Sequence, residues 1–376
     1  MNALRMGVVG LNGIGGRHAK SIGEMDCAEL VAVADLREDL RRAFAQEQGA
    51  NAYEDYTAMI DKEDLDAIVV ATPHFLHAPM GLHCLASGLH TFVEKPVAMA
   101  VSEADRMIET AEAKQLVLGV GHNYRTFPGN RAMKRVVGEL GDIHRVLWQW
   151  LEVRAETYYE RDVWRCNWEH AGGGVLMNQT SHDIDLLCWM LGEPVEVSAM
   201  ISSWCHKAEI EDSAVANVRF ASGALANLQF SICDRRLNYR QVSGDFGTLE
   251  YRDEKNANSQ VPDLFRVGKY YTPMRGFISG DGSVAGQNEI SWTDVEVKKE
   301  DEVTLLESFV TAVLDGGEPI TTGQSARFAL EVINGMILSA IRKEVVSLPV
   351  DRAKYDALLD DLKIGRASVP RVFESM

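Results

Sequence analysis

Residues 6–18 read MGVVGLNGIGGRH. The stretch begins as a short apolar run rich in valine and continues as a glycine-rich turn that leads into a segment of helical character. Glycines at 10, 13 and 15 permit a tight turn and let backbone N–H groups approach an anion at the start of a helix. The stretch therefore predicts a strand, a turn and a helix, with the turn serving either as a plain connection or as a phosphate-binding loop.

Four more apolar runs follow at regular intervals, with helical patterns between them: residues 30–35, 67–72, 91–94 and 116–120. Strands that are apolar on nearly every residue belong in a parallel sheet covered on both faces. The clearest helix is predicted at 102–114, where Ser102 and Asp105 have the spacing of a capping box. This alternation of strands and helices predicts a doubly wound α/β fold.

The acid that ends the second run indicates which nucleotide the turn binds. Asp35 lies about 20 residues after Gly15, where a carboxylate accepts hydrogen bonds from the ribose hydroxyls and repels a 2′-phosphate. This context favours NAD, although Arg37 leaves NADP open. The expected contacts in the turn come from Gly10, Asn12, Gly13, Ile14 and Gly15. Asn12 occupies the place of the second glycine in the common motif, so its side chain must fit beside the phosphates.

Composition narrows the class of protein. The chain has 376 residues, a comfortable length for two domains, and a net charge of −17, which disfavours nucleic acid as a partner. The six cysteines are widely spaced and have no Cys-x-x-Cys pair, so we expect neither a disulfide framework nor a metal site. No apolar stretch approaches the length of a membrane span and no signal-peptide pattern opens the sequence, so a cytoplasmic protein is predicted.

Three further strings carry the chemistry: ATPHFLH (71–77), VEKP (93–96) and GGGVLMNQTSHDID (172–185). The first two follow predicted parallel strands, at the sheet edge where ligands bind in open α/β sheets. Together the three strings resemble the glucose–fructose oxidoreductase and inositol dehydrogenase family, Gfo/Idh/MocA. The resemblance covers essentially the whole chain and includes residues 329–334 and 348–355.

The resemblance implies an NAD(P)-binding Rossmann domain over residues 1–122 and an α+β domain over 123–376. The second domain is expected to contain a large, mostly antiparallel sheet through which the protein forms a homodimer or homotetramer. The residues agree with such a sheet, because apolar and polar side chains alternate on both sides of Ala221–Gly223. That pattern predicts an antiparallel hairpin over 216–232.

The resemblance also implies NAD(P)-dependent hydride transfer at a secondary alcohol or ketone of a sugar, an inositol or a sugar derivative. By that resemblance His182 is the acid/base and Lys95 orients and polarises the reacting oxygen. Two other functions remain open: a redox-neutral glycosidase that uses NAD, and a non-catalytic regulator that senses a dinucleotide. Other Rossmann reductases fit least well, because they lack the combined strings.

A helix predicted over 176–191 places Asn178, His182 and Asp185 on one stripe, opposite the apolar residues. The stripe is either an ordinary solvated face or the wall of a cleft. The preceding triple glycine and the tryptophans of 164–168 favour the cleft. Asn178 stands where the family commonly has Asp, and Thr180 replaces a usual glycine. The Asn-Gln form resembles a sub-pattern of members that act on sugars and sugar nucleotides.

The remaining predicted contacts divide into two sets. Beyond the turn, the cofactor is expected to meet Asp35, Arg37, Thr72, Pro73, His74, His77, Glu94, Lys95 and Asn123. The substrate is expected to meet Asn123, Arg125, Trp164, Arg165, Asn178 and Asp185. Two predicted loops, Asp234–Tyr239 and Gly268–Gly286, are expected to add specificity.

Overall fold

The computed structural model describes residues 3–255, 260–280, 289–298 and 303–372. The first third alternates strands and helices: β1 (Leu4–Val9), α1 (Ile14–Gly23), β2 (Ala28–Ala34), α2 (Glu38–Gln48), β3 (Asn51–Tyr53), α3 (Tyr56–Lys62), β4 (Ala67–Val70), α4 (His74–Ala86), β5 (His90–Val93), α5 (Val101–Lys114) and β6 (Leu118–Val120). All five predicted runs are strands, and each ends one or two residues before the predicted boundary or at it.

The rest of the chain begins with a 3₁₀ turn at Asn123–Thr126. It continues as α6 (Pro128–Glu139), β7 (Ile143–Val153), α7 (Thr157–Arg161), α8 (Trp168–Ala171), α9 (Ser181–Leu191), β8 (Pro194–Ser202), β9 (Ser213–Phe220), β10 (Leu225–Ser231), β11 (Cys233–Gly244), β12 (Gly247–Asp253), β13 (Leu264–Tyr270), α10 (Met274–Ile278), β14 (Ile290–Asp294), α11 (Leu305–Asp315), α12 (Gly323–Arg342), β15 (Val346–Ser347) and α13 (Arg352–Lys363). Within the described residues, no helix has both the length and the apolar character needed to cross a membrane.

The first sheet has six parallel strands in the order β3-β2-β1-β4-β5-β6, which confirms the predicted Rossmann-type half of the fold. Its central strand is apolar because both faces are covered, and Met6 and Val8 are fully buried. The sequence analysis missed β3, whose three residues are exposed or half-buried. A short edge strand of that kind has no apolar signal to detect.

The predicted start of α5 is wrong. The helix begins at Val101, one residue earlier than expected, and its N-cap is Ala100 rather than Ser102. The Glu103 carboxylate accepts the backbone N–H groups of Met99 and Ala100, at 3.1 and 3.2 Å. Glu103 therefore supplies the acidic half of a capping box whose N-cap side chain has no oxygen to complete it.

The second sheet has nine strands in the order β14-β13-β12-β11-β7-β10-β9-β8-β15, and all its pairs are antiparallel except β7 with β10. The predicted hairpin is confirmed as β9 and β10, with Ala216 opposite Leu228. The loop predicted at Asp234–Tyr239 is wrong, because these residues lie within β11. Of the loop predicted at Gly268–Gly286, the first part forms the end of β13 and α10, and residues 281–286 lie outside the described residues.

The chain divides into two compact units that are not continuous in sequence. The first contains the residues up to Asn123 together with Glu169–Gly172 and Val303–Leu330. The second contains Tyr124–Trp168, the described residues from Gly173 to 298, and those from Glu331 onward. A single cut after residue 122 therefore differs from these units chiefly at two segments of the first unit, 169–172 and 303–330, which it assigns to the second.

Packing explains why this late segment joins the first unit. Helix α11 places Leu305, Leu306, Phe309 and Val310 in the same apolar cluster as strand residues such as Val8. The Phe309 ring is fully buried and meets the Phe92 ring edge to face, with centroids 5.6 Å apart. Helix α11 thus covers one face of the parallel sheet, which a cut at residue 122 would leave bare.

We expect Phe309→Ala to lower the free energy of unfolding by about 3–5 kcal/mol, because truncation leaves a cavity beside Phe92. Urea unfolding followed by far-UV circular dichroism, which reports on the helices and strands of both units, measures the change. Phe246→Ala is the matched control, since the Phe246 side chain is 50% exposed and should cost much less. Equal losses in the two variants would contradict the role of α11 in the core of the first unit.

Candidate functional site

The glycine-rich turn between β1 and α1 has the shape of a phosphate cradle. A Cβ atom on Gly15 would lie 1.8 Å from the Gly10 carbonyl oxygen, so the turn closes only with glycine there. At Gly13, whose φ is 64°, a Cβ would meet nothing within 4 Å, so the side of the turn that Gly13 faces is open. Among the residues that the structure describes, no side chain caps α1, and Asn12 and Ile14 are exposed. The free N–H groups at the start of α1 therefore suit an anionic diphosphate.

Asp35 fixes the turn and keeps acceptor capacity. Its Oδ2 accepts the Leu11 N–H at 2.7 Å, and its Oδ1 accepts the Arg37 N–H at 2.8 Å. Each carboxylate oxygen has a second lone pair, which suits a pair of ribose hydroxyls. The exposed Arg37 guanidinium pairs with Asp39 at 2.5 Å, and this ion pair raises the pKa of Arg37 and lowers the pKa of Asp39.

The residues after β4 are tied to the Glu-Lys-Pro string through His77. Its Nδ1 lies 2.7 Å from the Pro96 carbonyl oxygen, and its Nε2 lies 2.7 Å from the Thr72 carbonyl oxygen. Burial lowers the pKa of His77 in spite of these contacts. Because both ring nitrogens face the main chain, His77 positions the strand ends. The Thr72 Oγ1, which is buried, has no hydrogen-bond partner among the described residues and suits a ligand atom.

His74 begins α4 immediately after its N-cap, Pro73. The Nδ1 atom of His74 lies 2.9 Å from the Ala171 carbonyl oxygen, and the side chain is buried. The ring of His74 lies 5.8 Å from that of His77. His74 therefore anchors residues 169–172 within the first unit.

Glu94 is held in the carboxylate form beside Lys95. Its Oε1 lies 2.8 Å from His18 Nε2, and its Oε2 accepts the Lys95 N–H at 3.2 Å. Burial alone would raise the pKa of Glu94, but the hydrogen bond from His18 and the charges of His18 and Lys95 outweigh it, so this pKa is lowered. Glu94 thus orients the main chain at Lys95, which is half-buried. Asn123, which follows strand β6 and begins the 3₁₀ turn, is exposed.

In the second unit, Glu211 holds the segment that follows the glycines. Its Oε1 accepts the N–H groups of Gly174 and Leu176 at 2.8 and 3.1 Å, and its backbone carbonyl accepts that of Val175 at 2.9 Å. A Cβ on Gly174 would lie 1.8 Å from the Glu211 carbonyl oxygen. Only glycine allows this approach, and burial raises the pKa of Glu211 to about 7.

The segment held by Glu211 is not the start of one continuous α-helix, contrary to prediction. Residues Val175–Gln179 form a π-helical turn, Thr180 follows, and α9 begins at Ser181. Asn178 Nδ2 donates to the Tyr158 hydroxyl at 2.7 Å. His182, in the first turn of α9, is half-buried and stacks on the Tyr124 ring with centroids 4.5 Å apart.

Two buried ion pairs flank His182 along α9. Arg125 donates to both carboxylate oxygens of Asp185, at 2.6 and 2.8 Å, and neither side chain is more than 3% exposed. Asp183 Oδ1 accepts from Arg240 at 2.8 Å and from the Trp148 indole N–H at 2.9 Å. Burial raises the pKa of Asp183 against the pull of Arg240. The structure thus pairs Arg125 with Asp185 and adds Asp183 and Arg240, which the sequence analysis missed because no local spacing joins them.

Trp164 and Arg165 lie together on a short 3₁₀ turn, Val163–Cys166. The Arg165 guanidinium lies 4.4 Å from the Trp164 ring centroid and 5.2 Å from that of Tyr158. It also pairs with Asp162 at 2.5 Å. Tyr158, which the sequence analysis did not single out, thus links Arg165 to Asn178.

Comparison with known families decides the relationship. Residues 4–122 match the family described as "Oxidoreductase family, NAD-binding Rossmann fold", and residues 131–250 match the GFO/IDH/MocA C-terminal domain. The chain belongs to the Gfo/Idh/MocA family. It is therefore an NAD(P)-dependent oxidoreductase that acts on CH–OH groups and binds NAD(H), as the sequence resemblance implied.

Individual Gfo/Idh/MocA relatives span much of the chain. It is 31% identical over 230 residues to myo-inositol 2-dehydrogenase of Thermotoga maritima, which is 59% of this chain and 66% of that protein. It is 26% identical to an inositol 2-dehydrogenase of Rhizobium meliloti over 92% of this chain and 99% of that protein. The crystal structure of the WlbA dehydrogenase of Bordetella pertussis, in complex with NADH and UDP-GlcNAcA, is similar in fold. It has a TM-score of 0.78 and 24% identity, and covers 93% of this chain and 100% of that chain.

We expect Asp35→Ala to weaken NAD binding more than NADP binding, because the lost carboxylate would accept from the ribose hydroxyls and repel a 2′-phosphate. Isothermal titration with each dinucleotide measures both affinities. Asp61→Ala, a change at an exposed acid on α3, serves as the control. An unchanged ratio of the two dissociation constants would contradict the assignment.

Glu211 predicts a pH-dependent stability. The pKa of Glu211 is about 7 in the folded protein and about 4.3 in the unfolded protein. Its contribution to the free energy of unfolding is therefore complete below the unfolded-state pKa and is lost as the pH rises through the folded-state pKa. Glu211→Gln keeps an oxygen for the two N–H groups and does not titrate. Relative to this variant, we expect the wild type to lose a few kcal/mol of unfolding free energy between about pH 5 and pH 8. Urea unfolding at a series of pH values measures this loss. The same pH dependence of the unfolding free energy in both proteins would contradict the assignment.

Proposed function

We propose that this protein is an NAD-dependent dehydrogenase that interconverts a secondary alcohol and a ketone on a sugar, an inositol or a sugar derivative. The inositol dehydrogenases among its relatives support this substrate class. The bound nicotinamide supplies the hydride acceptor or donor. The residues of the chain must then bind the dinucleotide, orient the substrate and move the hydroxyl proton.

Preference for NAD over NADP rests on charges at the end of β2. Asp35 presents a carboxylate where a 2′-phosphate would approach, and Arg37, the nearby cation, is engaged by Asp39. An NADP enzyme would need to break that ion pair and to offset the repulsion from Asp35. Both features favour NAD.

The observation that best supports the catalytic assignment is the distribution of polar groups on α9. Asp183 and Asp185 are fully buried and bound to Arg240 and Arg125, so neither is placed to exchange a proton with a substrate. His182 is the half-exposed titratable side chain between them, and imidazole exchanges protons near neutral pH. We assign His182 Nε2 or Nδ1 as the acid/base. Arg125 and Asp185 become positioning residues rather than direct substrate contacts.

Lys95 is assigned to orient and polarise the reacting oxygen. The Glu94 carboxylate holds the Lys95 main chain, and His77 holds the following Pro96. The ammonium of a lysine whose main chain is held in this way can donate a hydrogen bond to a carbonyl or alkoxide oxygen and stabilise the charge that develops there. The hydrogen bond from His18 keeps Glu94 in the carboxylate form in spite of its burial, so a negative charge stays beside Lys95.

Substrate recognition is assigned to the aromatic cluster around Tyr158. The Trp164 ring offers a flat apolar surface for the C–H face of a sugar, and Arg165 adds a cation that Asp162 partly neutralises. Asn178, a neutral amide, hydrogen-bonds the Tyr158 hydroxyl and can bond a sugar hydroxyl with its remaining groups. Asn123, which is exposed, is kept as a contact of cofactor and substrate.

The substrate class, the oligomeric state and the cellular location remain predictions. We propose a small polyhydroxylated substrate, a homodimer or homotetramer formed through the nine-stranded sheet, and a cytoplasmic location. The net charge of −17 supports the exclusion of nucleic acid.

We expect Lys95→Ala to lower kcat by roughly 100-fold or more while NAD affinity changes little, since the ammonium acts on the reacting oxygen. Formation of NADH is followed across inositols, hexoses, uronic acids, anhydro-sugars and UDP-sugars. Lys114→Ala, a change at an exposed lysine on α5, is the control. Normal turnover by Lys95→Ala would exclude this assignment.

The same panel separates the proposal from its alternatives. Substrate-dependent formation of NADH supports a dehydrogenase and identifies the substrate class. If NAD binds and no substrate produces NADH, cleavage of nitrophenyl glycosides would indicate the redox-neutral glycosidase. Binding without either reaction would indicate a regulator.

A further inference from the structure

A cluster of a histidine, an aspartate and a cysteine lies in the second unit and has no part in the proposed reaction. One ligand atom each from His206, Asp212 and Cys233 lies within 4.8 Å of the other two. His206 Nδ1 is 3.1 Å from Asp212 Oδ2 and 3.8 Å from Cys233 Sγ. The sequence analysis predicted no metal site because these residues come from separate segments, the loop between β8 and β9 and the start of β11.

The main chain fixes the ligand groups before any ion is bound. Asp212 accepts the N–H groups of Trp204, Cys205 and His206, at 2.7, 2.7 and 3.1 Å. His206 Nε2 lies 2.8 Å from the Arg154 carbonyl oxygen. Donation to that carbonyl puts the proton on Nε2 and turns the Nδ1 lone pair towards the cluster. Metal-binding histidines are commonly oriented by such a bond.

Electrostatics then favours a positive charge between the groups. With the proton on Nε2, the Nδ1 lone pair faces a carboxylate oxygen only 3.1 Å away, and two acceptors at this distance repel each other. The side chains of His206 and Asp212 are 4% and 1% exposed, so water screens the repulsion poorly. Either a second proton on His206 or a metal cation removes it.

The cysteines favour the metal over the proton. A proton between His206 and Asp212 needs only those two partners, yet Cys233 Sγ converges on the same nitrogen. The Cys205 side chain in turn interacts with the Cys233 thiol. Cysteine, histidine and carboxylate ligands together are the donor set of tetrahedral zinc.

Distances agree with this donor set. Bond lengths of roughly 2.0–2.3 Å and tetrahedral angles place nitrogen and oxygen ligands roughly 3.3 Å apart, and nitrogen and sulfur ligands roughly 3.6 Å apart. The separations in the structure, 3.1 and 3.8 Å, differ from these by a few tenths of an ångström. We propose that His206 Nδ1, Asp212 Oδ2 and Cys233 Sγ bind a zinc ion. The exposed Cys205 thiol lies beside Cys233 but outside this group of three, and it turns in as the fourth ligand when the ion binds. Both thiols release their protons to solvent on binding.

The site has a structural role. Asp212 directly follows Glu211, whose carboxylate and carbonyl hold Gly174, Val175 and Leu176. A metal at Asp212 therefore stiffens the loop that positions the segment before His182. An effect of zinc on turnover depends on the proposed function, whereas zinc binding itself does not.

Cobalt substitution tests the site directly. The reduced, metal-stripped protein is titrated with Co²⁺, and we expect one equivalent to give sulfur-to-cobalt charge-transfer absorption and tetrahedral visible bands. Cys233→Ser should abolish the charge-transfer band or shrink it severalfold, and Cys205→Ser should weaken it. Cys27→Ser is the control, because Cys27 is exposed and belongs to the first unit. Zinc should displace the cobalt and raise the Tm of the wild type but not of Cys233→Ser.

Two results would overturn the proposal. The first is a wild-type spectrum identical to that of Cys233→Ser, which would leave a His206–Asp212 ion pair as the whole interaction. The second is a reduced protein that takes up no Co²⁺ while mass spectrometry of the isolated protein finds Cys205 and Cys233 joined as a disulfide. Both results are independent of whether any sugar is oxidised.

Discussion

The buried ion pairs of Asp183 with Arg240 and of Asp185 with Arg125 constrain the position of α9 within the second unit. Removing four charges from water costs free energy. Each buried charge is tolerated only when its partner and its hydrogen bonds are in place. Arg125 lies before α6 and Arg240 lies in β11, so the two pairs fix one helix to two separate parts of the chain. His182 lies on the same helix, next to Asp183. The ion pairs therefore fix the main chain that carries His182, and its ring stacks on Tyr124.

In the first unit, hydrogen bonds between side chains and the main chain fix the segments around the glycine-rich turn. His77 joins the ends of two strands through two carbonyl groups, and Asp35 joins the glycine turn to the end of β2. These contacts leave the N-terminus of α1 uncapped and open at Gly13. Rigidity comes from side chains beside the turn, so the turn itself can offer its main chain to a ligand.

The sequence predicted what local patterns encode. Apolar runs located the parallel strands, alternation located the β9–β10 hairpin, and the combined strings identified the family. The predicted helix over 176–191 was wrong in its first turn, since Glu211 binds Gly174 and Leu176 and a π-helical turn precedes α9. Asn178, His182 and Asp185 therefore do not share one face of a single helix as predicted. Asp185 is instead buried against Arg125. Contacts between residues far apart in sequence have no periodicity, so ion pairs, the His77 bonds and the His206 cluster were beyond reach.

The place of α11 has a consequence for how the protein is made. Strands β1 to β6 leave the ribosome early, but the apolar face that Phe309 and its neighbours cover stays open until residues 303–330 emerge. Most of the second unit is synthesised in the interval, and its last part, from Glu331 onward, follows. Until residues 303–330 emerge, the parallel sheet has one apolar surface uncovered, a state that attracts chaperones and favours aggregation. The nucleotide-binding unit is therefore completed only after the part of the second unit between residues 124 and 302 has been made.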